Sequence, residues 1–184
     1  MSGQRLVVSG LEPGPAVGLA AGAMVAALGA RAVVRPATIG LDLPLWRLLY
    51  EAGARPPRAL DPALHPWPLA GELRDWWSDG VDLTLLVAAA PVLDRWQGVE
   101  GSRAVDVAVR FDAPLVIVLD ARDRGPTVAA AALGVRALAG RAEPAGVIVV
   151  GGDDRSSGGE LDALLRDKVG LPLLGWIPPQ LSEQ

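Results

Sequence analysis

The stretch Val7–Gly22 reads VVSGLEPGPAVGLAAG, and its punctuation decides the architecture. An apolar run, Arg5 to Ser9 (RLVVS), stops at Gly10. Three glycines and two prolines follow within the next few positions, and an alanine-rich segment from Ala16 to Leu28 then carries the signature of a helix ended by GAR at Gly29–Arg31. A short buried strand, a tight turn and a helix are the opening of a βαβ unit.

The remaining chain repeats that alternation. Strands are expected at Ala32–Pro36, Asp82–Ala90, Pro114–Leu119, Gly146–Val150 and Leu171–Trp176, all nearly continuous apolar runs. Helices are expected at Leu43–Ala52, Leu69–Gly80, Ser102–Phe111, Thr127–Leu138 and Gly159–Val169, whereas the proline-rich Ala54–Pro68 reads as irregular. Uniformly apolar strands separated by helix-length spacers imply a mostly parallel sheet of about six or seven strands, covered on both faces in a three-layer α/β/α sandwich. No repeat or linker divides the chain, so residues 1–178 read as a single domain and 179–184 as a C-terminal tail.

Composition excludes several kinds of chemistry. With no cysteine among 184 residues there is no disulfide, thiolate metal site or cysteine nucleophile. A net charge of −4 gives no footprint for nucleic acid or an anionic membrane. The longest uncharged stretch, Pro13 to Ala30, is marginal for a bilayer span and mostly weakly hydrophobic alanine and glycine. With no signal-peptide pattern, the expectation is a soluble cytoplasmic protein. Lys168 is the sole lysine, and asparagine is absent.

In an open α/β sheet the turn after the first strand lies at the carboxyl edge, where ligands bind. A phosphate-binding loop there needs glycines, so that backbone N–H groups converge on oxygens, together with a lysine and a Ser/Thr hydroxyl for Mg²⁺. Gly10, Gly14 and Gly18 supply part of the glycine spacing. Where G-K-[ST] would fall the chain has Ala16, Val17 and Gly18. Pro13 and Pro15 remove two donors, and Glu12 adds a negative charge. The expectation is a turn that binds no phosphate, hence no ATP or Mg²⁺ cofactor; a tight strand-to-helix turn without any ligand history explains the glycines almost as well.

With these segments in view the chain resembles the amino-terminal domain of cobyrinic acid a,c-diamide synthases, members of the P-loop superfamily with dethiobiotin synthetase and the MinD/ParA ATPases. VVSGLEPGPAVGLAAGAMVAAL is similar to that family's strand, loop and first helix, and ATIGLD (Ala37–Asp42) to its segment ending G-P-D. RPPRALDP (Arg55–Pro62) resembles R-x-x-R-N-L-D-P, and GVDLTLLVAAAPVLD (Gly80–Asp94) the strand carrying E-G-V-M-G-L-Y-D. APLVIVLDARDRGPTVAAAALGVRAL, PAGVIVV and GLPLLGWIP are similar to the later strands and a helix.

The resemblance implies a P-loop NTPase-like fold, and the departures fall on nucleotide-handling positions. The family's loop lysine and threonine correspond to Val17 and Gly18. Its third-strand glutamate and glycine correspond to Val87 and Ala88, leaving Asp94, and its base-recognising asparagine corresponds to Val150. The family's glutaminase domain uses a cysteine nucleophile, and from a sequence without cysteine the expectation is that this domain is absent. The reading is a non-catalytic, pseudo-ATPase relative acting through homodimerisation or with a protein partner. The alternative is a small-ligand-binding or ATP-dependent amidoligase-like subunit working with a separate glutaminase, its pocket made less polar by Ala16, Val17 and Val87.

Other candidates have plainer readings. The carboxyl rim is expected to gather Glu12, Asp42, Asp94, Asp120, Asp123, Asp153 and Asp154, interleaved with Arg95, Arg122, Arg124 and Arg155. Such carboxylates can hold Mg²⁺, but solvated loop ends are polar anyway, so no metal is assigned. His65 is the lone histidine, and Ser9, Ser102, Ser156 and Ser157 lack the context of a nucleophile elbow, so no catalytic residue is assigned. Trp46, Trp67, Trp76 and Trp77 cluster between the second and third expected strands. Trp76 and Trp77 point about 100° apart on a helix, so one of them is a candidate interface anchor.

Overall fold

A computed structural model describes residues 3–53, 55–61, 64–65, 72, 77, 79–122, 134, 138, 141–142, 144–151 and 157–178. Seven strands form one sheet: β1 (Gln4–Gly10), β2 (Val34–Ile39), β3 (Arg58–Leu60), β4 (Leu83–Ala88), β5 (Leu115–Asp120), β6 (Pro144–Val150) and β7 (Leu173–Ile177). Their order is β3-β2-β4-β1-β5-β6-β7, and every pairing is parallel. The described helices are α1 (Ala16–Gly29), α2 (Leu43–Gly53), α3 (Ala104–Arg110) and α4 (Ser157–Val169), with a 3₁₀ turn at Trp96–Gly98. None of them is long and apolar enough to cross a membrane.

The period of two along each strand divides the core into two layers. Val8, Leu85, Val87, Val116, Val118, Ile148 and Val150 face α1 and α2, where they meet Val17, Ala21, Val25, Leu45 and Leu49. Val7, Leu86, Ile117, Val147 and Val149 face the opposite way, against Val105, Val107 and Phe111 around α3 and Leu165 of α4. Both faces are therefore covered, which is why these strands read as unbroken apolar runs rather than alternating ones.

Two expectations are corrected. The stretch Ala54–Pro68 is not wholly irregular, because Arg58–Leu60 pairs with Ala37–Ile39 as a short edge strand. Only three residues pair, between prolines, so neither length nor period marked it. The second strand also runs past Pro36 to Ile39. Pro36 is tolerated because β3 pairs only from Ala37 onward, so at Pro36 the strand has a partner on the β4 side alone. The helices expected over 69–80 and 127–138 lie largely outside the described residues, of which Glu72, Trp77, Gly134 and Leu138 are helical. The expected tail lies outside them too.

Candidate functional site

Chain order and spatial order together locate the site. From β1 the chain passes through α1 toward β2 on one side, and β5 later takes the other side of β1. The direction of winding reverses at β1, and a crevice opens beyond its carboxyl end. The turn Leu11–Pro15 occupies that position and leads directly into α1.

The base of the turn is tied to both neighbouring strands. The Val92 N–H donates to the Gly10 carbonyl at 2.8 Å, and the Leu11 N–H to the Val118 carbonyl at 3.4 Å. The buried Ser9 hydroxyl donates to the Ala90 carbonyl at 3.0 Å. A Cβ on Gly10 would stand 2.8 Å from the Glu12 carbonyl oxygen and 2.9 Å from Val17 Cγ2, so the turn folds back too tightly for any side chain there. Gly14 takes φ +155°, a conformation that L side chains rarely adopt. At the start of α1 the first intrahelical bond runs from the Leu19 N–H to the Pro15 carbonyl at 3.1 Å. The N–H groups of Ala16, Val17 and Gly18 therefore precede the helical ladder, as at any helix N-terminus.

Side chains decide what this geometry can do. Val17 is 3% exposed and belongs to the core layer with Val8, Leu45 and Val87. Ala16 and Gly18 are buried as well, while Glu12, Pro13 and Gly14 are exposed. The open side of the turn thus presents a carboxylate and two ring nitrogens without hydrogen. Asp120, at the end of β5, reaches the same place: its Oδ2 lies 3.7 Å from where a Gly14 Cβ would stand. Arg122 holds Asp120 from two sides, its Nε donating to Oδ1 at 2.9 Å and its Nη2 to Oδ2. The guanidinium keeps the Asp120 carboxyl below the usual carboxylate range, a backbone bond from the Arg122 N–H adds to this, and partial burial opposes it. Gly151, with φ +83°, allows Arg122 to pack this closely, since a Cβ there would lie 2.8 Å from the Arg122 backbone nitrogen.

Beside the turn, α1 and α2 flank a cleft of about 320 Å³, lined by Gly14, Pro15, Val17, Gly18, Asp42, Pro44, Leu45, Leu48 and Ala89. Its walls are mainly apolar. Asp42, the one carboxylate among these residues, caps α2: its Oδ1 accepts from the Leu45 N–H at 2.8 Å. Leu41 and Leu43, on either side of Asp42, are 52% and 66% exposed.

Of the residues expected at the site, Gly14, Val17, Gly18 and Asp42 therefore line one cleft, Gly10 and Ala16 support it, and Asp120 stands at the turn's other side. Asp94 is exposed in the turn after β4, where its own N–H donates to the Pro91 carbonyl at 2.9 Å, and it does not line the cleft. Val87, Ala88 and Val150 are all buried within their strands. Asp123, Asp153, Asp154, Arg124 and Arg155 lie outside the described residues, among which no group of three or more His, Asp or Glu side chains is placed to hold a metal ion. The sequence reading missed the α2 wall, Pro44, Leu45 and Leu48. Its signal was available, because Leu45 and Leu48 fall on the apolar stripe of an amphipathic helix.

The lesser candidates have structural partners. His65 Nδ1 accepts from the Asp61 N–H at 3.2 Å within a turn; Trp67, expected beside it, lies outside the described residues. The Ser102 hydroxyl donates to the Val99 carbonyl at 2.6 Å. Trp77 is buried in the core, while Trp76 lies outside the described residues. Trp46 stacks on Tyr50 at 5.7 Å between centroids and donates from Nε1 to the Pro57 carbonyl at 2.9 Å.

No protein-family model matches the sequence, and no curated protein matches it. Solved structures resemble the fold strongly. The GDP complex of the signal recognition particle 54 kDa protein from Aeropyrum pernix aligns with a TM-score of 0.66 at 14% identity, covering 100% of this chain and 43% of that one. Chloroplast FtsY from Physcomitrella patens aligns at 0.64 and 14% identity, covering 94% and 57%. The MinC:MinD cell division complex of Aquifex aeolicus aligns at 0.61 and 15% identity, covering 98% and 84%. The chain spans about half the length of the first two. Together with the all-parallel sheet, these likenesses show a three-layer α/β fold of the P-loop NTPase-like kind.

Proposed function

We propose that this chain is a non-catalytic relative of the P-loop NTPases, a pseudo-ATPase of the cobyrinic acid a,c-diamide synthase and MinD/ParA kind that works in the cytoplasm by association. Its carboxyl face meets a second copy or a partner subunit and binds neither ATP nor Mg²⁺. The observation that carries this reading is Val17, which is 3% exposed and packed in the core where a phosphate loop needs its lysine. Restoring the charge there would require burying an ammonium ion. The rest of the turn supports the same reading: Pro13 and Pro15 bring no N–H, and Glu12 adds an exposed negative charge. Exposed Leu41 and Leu43 on the same rim add apolar surface suited to association.

A second reading rests on the cleft. At about 320 Å³ it is at the lower end of the range of small-molecule pockets, and its apolar walls suit an apolar ligand or macrocycle. In that case the chain is a ligand-binding or amidation-related subunit acting with a separate glutaminase.

Light scattering at micromolar concentration tests association. A dimer, weakened by Leu41→Glu with Leu43→Glu, supports the first reading. A clean monomer that copurifies with no partner counts against it. A thermal-shift screen with corrinoid precursors addresses the second reading, and stabilisation abolished by filling the cleft with Gly18→Leu would favour it.

A further inference from the structure

The face of the sheet opposite the cleft carries a groove that none of the foregoing uses. It has a volume of about 440 Å³ and runs along the outer side of α3. Among the described residues, four of those lining it are arginines, Arg95, Arg103, Arg110 and Arg141. Only two, Glu100 and Asp106, are acids. The chain as a whole carries −4, so this excess of positive charge runs against the global balance and is local to the groove.

Its walls come from three separate segments. Arg95 and Glu100 belong to the connection after β4, Arg103 and Arg110 bracket α3, and Arg141 lies just before β6. The Arg141 N–H donates to the Leu138 carbonyl at 2.9 Å, which fixes that wall. Val105 is buried at the floor and Val109 is 56% exposed at the lip, one helical turn apart. Glu100 approaches Arg95 only to 3.9 Å, and its side chain is 90% exposed, so this pair neutralises little of the groove. The Nε of Arg103 is buried with no hydrogen-bond partner among the described residues.

We infer that this groove is a binding site for a small organic polyanion bearing several phosphate or carboxylate groups. Each guanidinium fork offers paired donors to planar or tetrahedral oxyanions, and Arg95, Arg103 and Arg141 line the groove together with Arg110, which also has an interaction of its own within the chain. The valines accommodate a short carbon skeleton, and the volume suits a metabolite-sized molecule. The site is separate from the α1–α2 cleft, whose buried lining residues Val17 and Leu45 belong to the other core layer.

Calorimetric titration at low ionic strength, with tripolyphosphate in one arm and citrate in the other, tests this inference. The expected result is saturable one-to-one binding of at least one probe, weakened as salt is raised; the arm that binds more tightly tells phosphate from carboxylate chemistry. Arg141→Gln on the exposed wall should weaken binding about tenfold, the loss of one charge-assisted bond. Val109→Glu, at an exposed position, should weaken it at least as much without touching an arginine. Glu12→Gln at the turn should leave it unchanged. Absence of saturable binding in both arms overturns the inference. So does binding that survives both groove variants or that strengthens with Glu12→Gln.

Discussion

At the residue scale, the Asp120–Arg122 pair and Val17 show how far single positions could be read. Asp120 is legible as a strand-end carboxylate, but its pairing with Arg122 depends on Gly151, which lets Arg122 pack close across the sequence. The burial of Val17 follows from its place on the first turn of α1 facing β1, which a residue list does not supply. The pair has a consequence for acid stability. Arg122 depresses the Asp120 pKa in the folded state, so the pair's contribution is fully present above the unfolded value of about 3.9 and is lost as pH falls through the lower folded value. Asp120→Asn should therefore reduce stability at neutral pH by about 1 kcal/mol or less, and the gap from the unsubstituted protein should close as pH drops below about 4. Urea unfolding at pH 7 and at pH 3 measures both quantities.

Elements were more legible than residues wherever their signals were strong. Continuous apolar runs marked β1, β4, β5 and β6, because both faces of those strands are buried. Glycine and alanine marked α1, whose close contact with α2 is visible at Gly22, where a Cβ would stand 2.8 Å from Leu48 Cδ2. The edge strand β3 was missed because three residues carry no period. The start of α2 is legible in the sequence, but the resemblance marks Asp42 only as a family aspartate, whereas its bond to the Leu45 N–H makes it the cap of the helix. Asp42→Ala should remove that bond and cost about 1 kcal/mol. For a chain of this size the melting temperature should fall by about 2–4 °C, measurable by calorimetry, with no loss of the fold.

For the whole molecule, the sheet architecture and the location of the cleft were both implied by strand–helix alternation, since the crevice of an open α/β sheet follows from the order in which its strands are laid down. The arginine groove was not implied. Its four arginines stand at positions 95, 103, 110 and 141, and nothing in that spacing marks a shared groove. The proposal that the β1–α1 turn binds no nucleotide starts from residues the sequence lacks, and to these the structure adds the burial of Val17 beside the cleft. Isothermal titration of the purified chain with Mg-ATP and Mg-ADP tests that account most directly. It predicts no saturable heat and no change in melting temperature at millimolar nucleotide. Stoichiometric binding with a nanomolar-to-micromolar dissociation constant, abolished by a bulky substitution at Gly14, would contradict it.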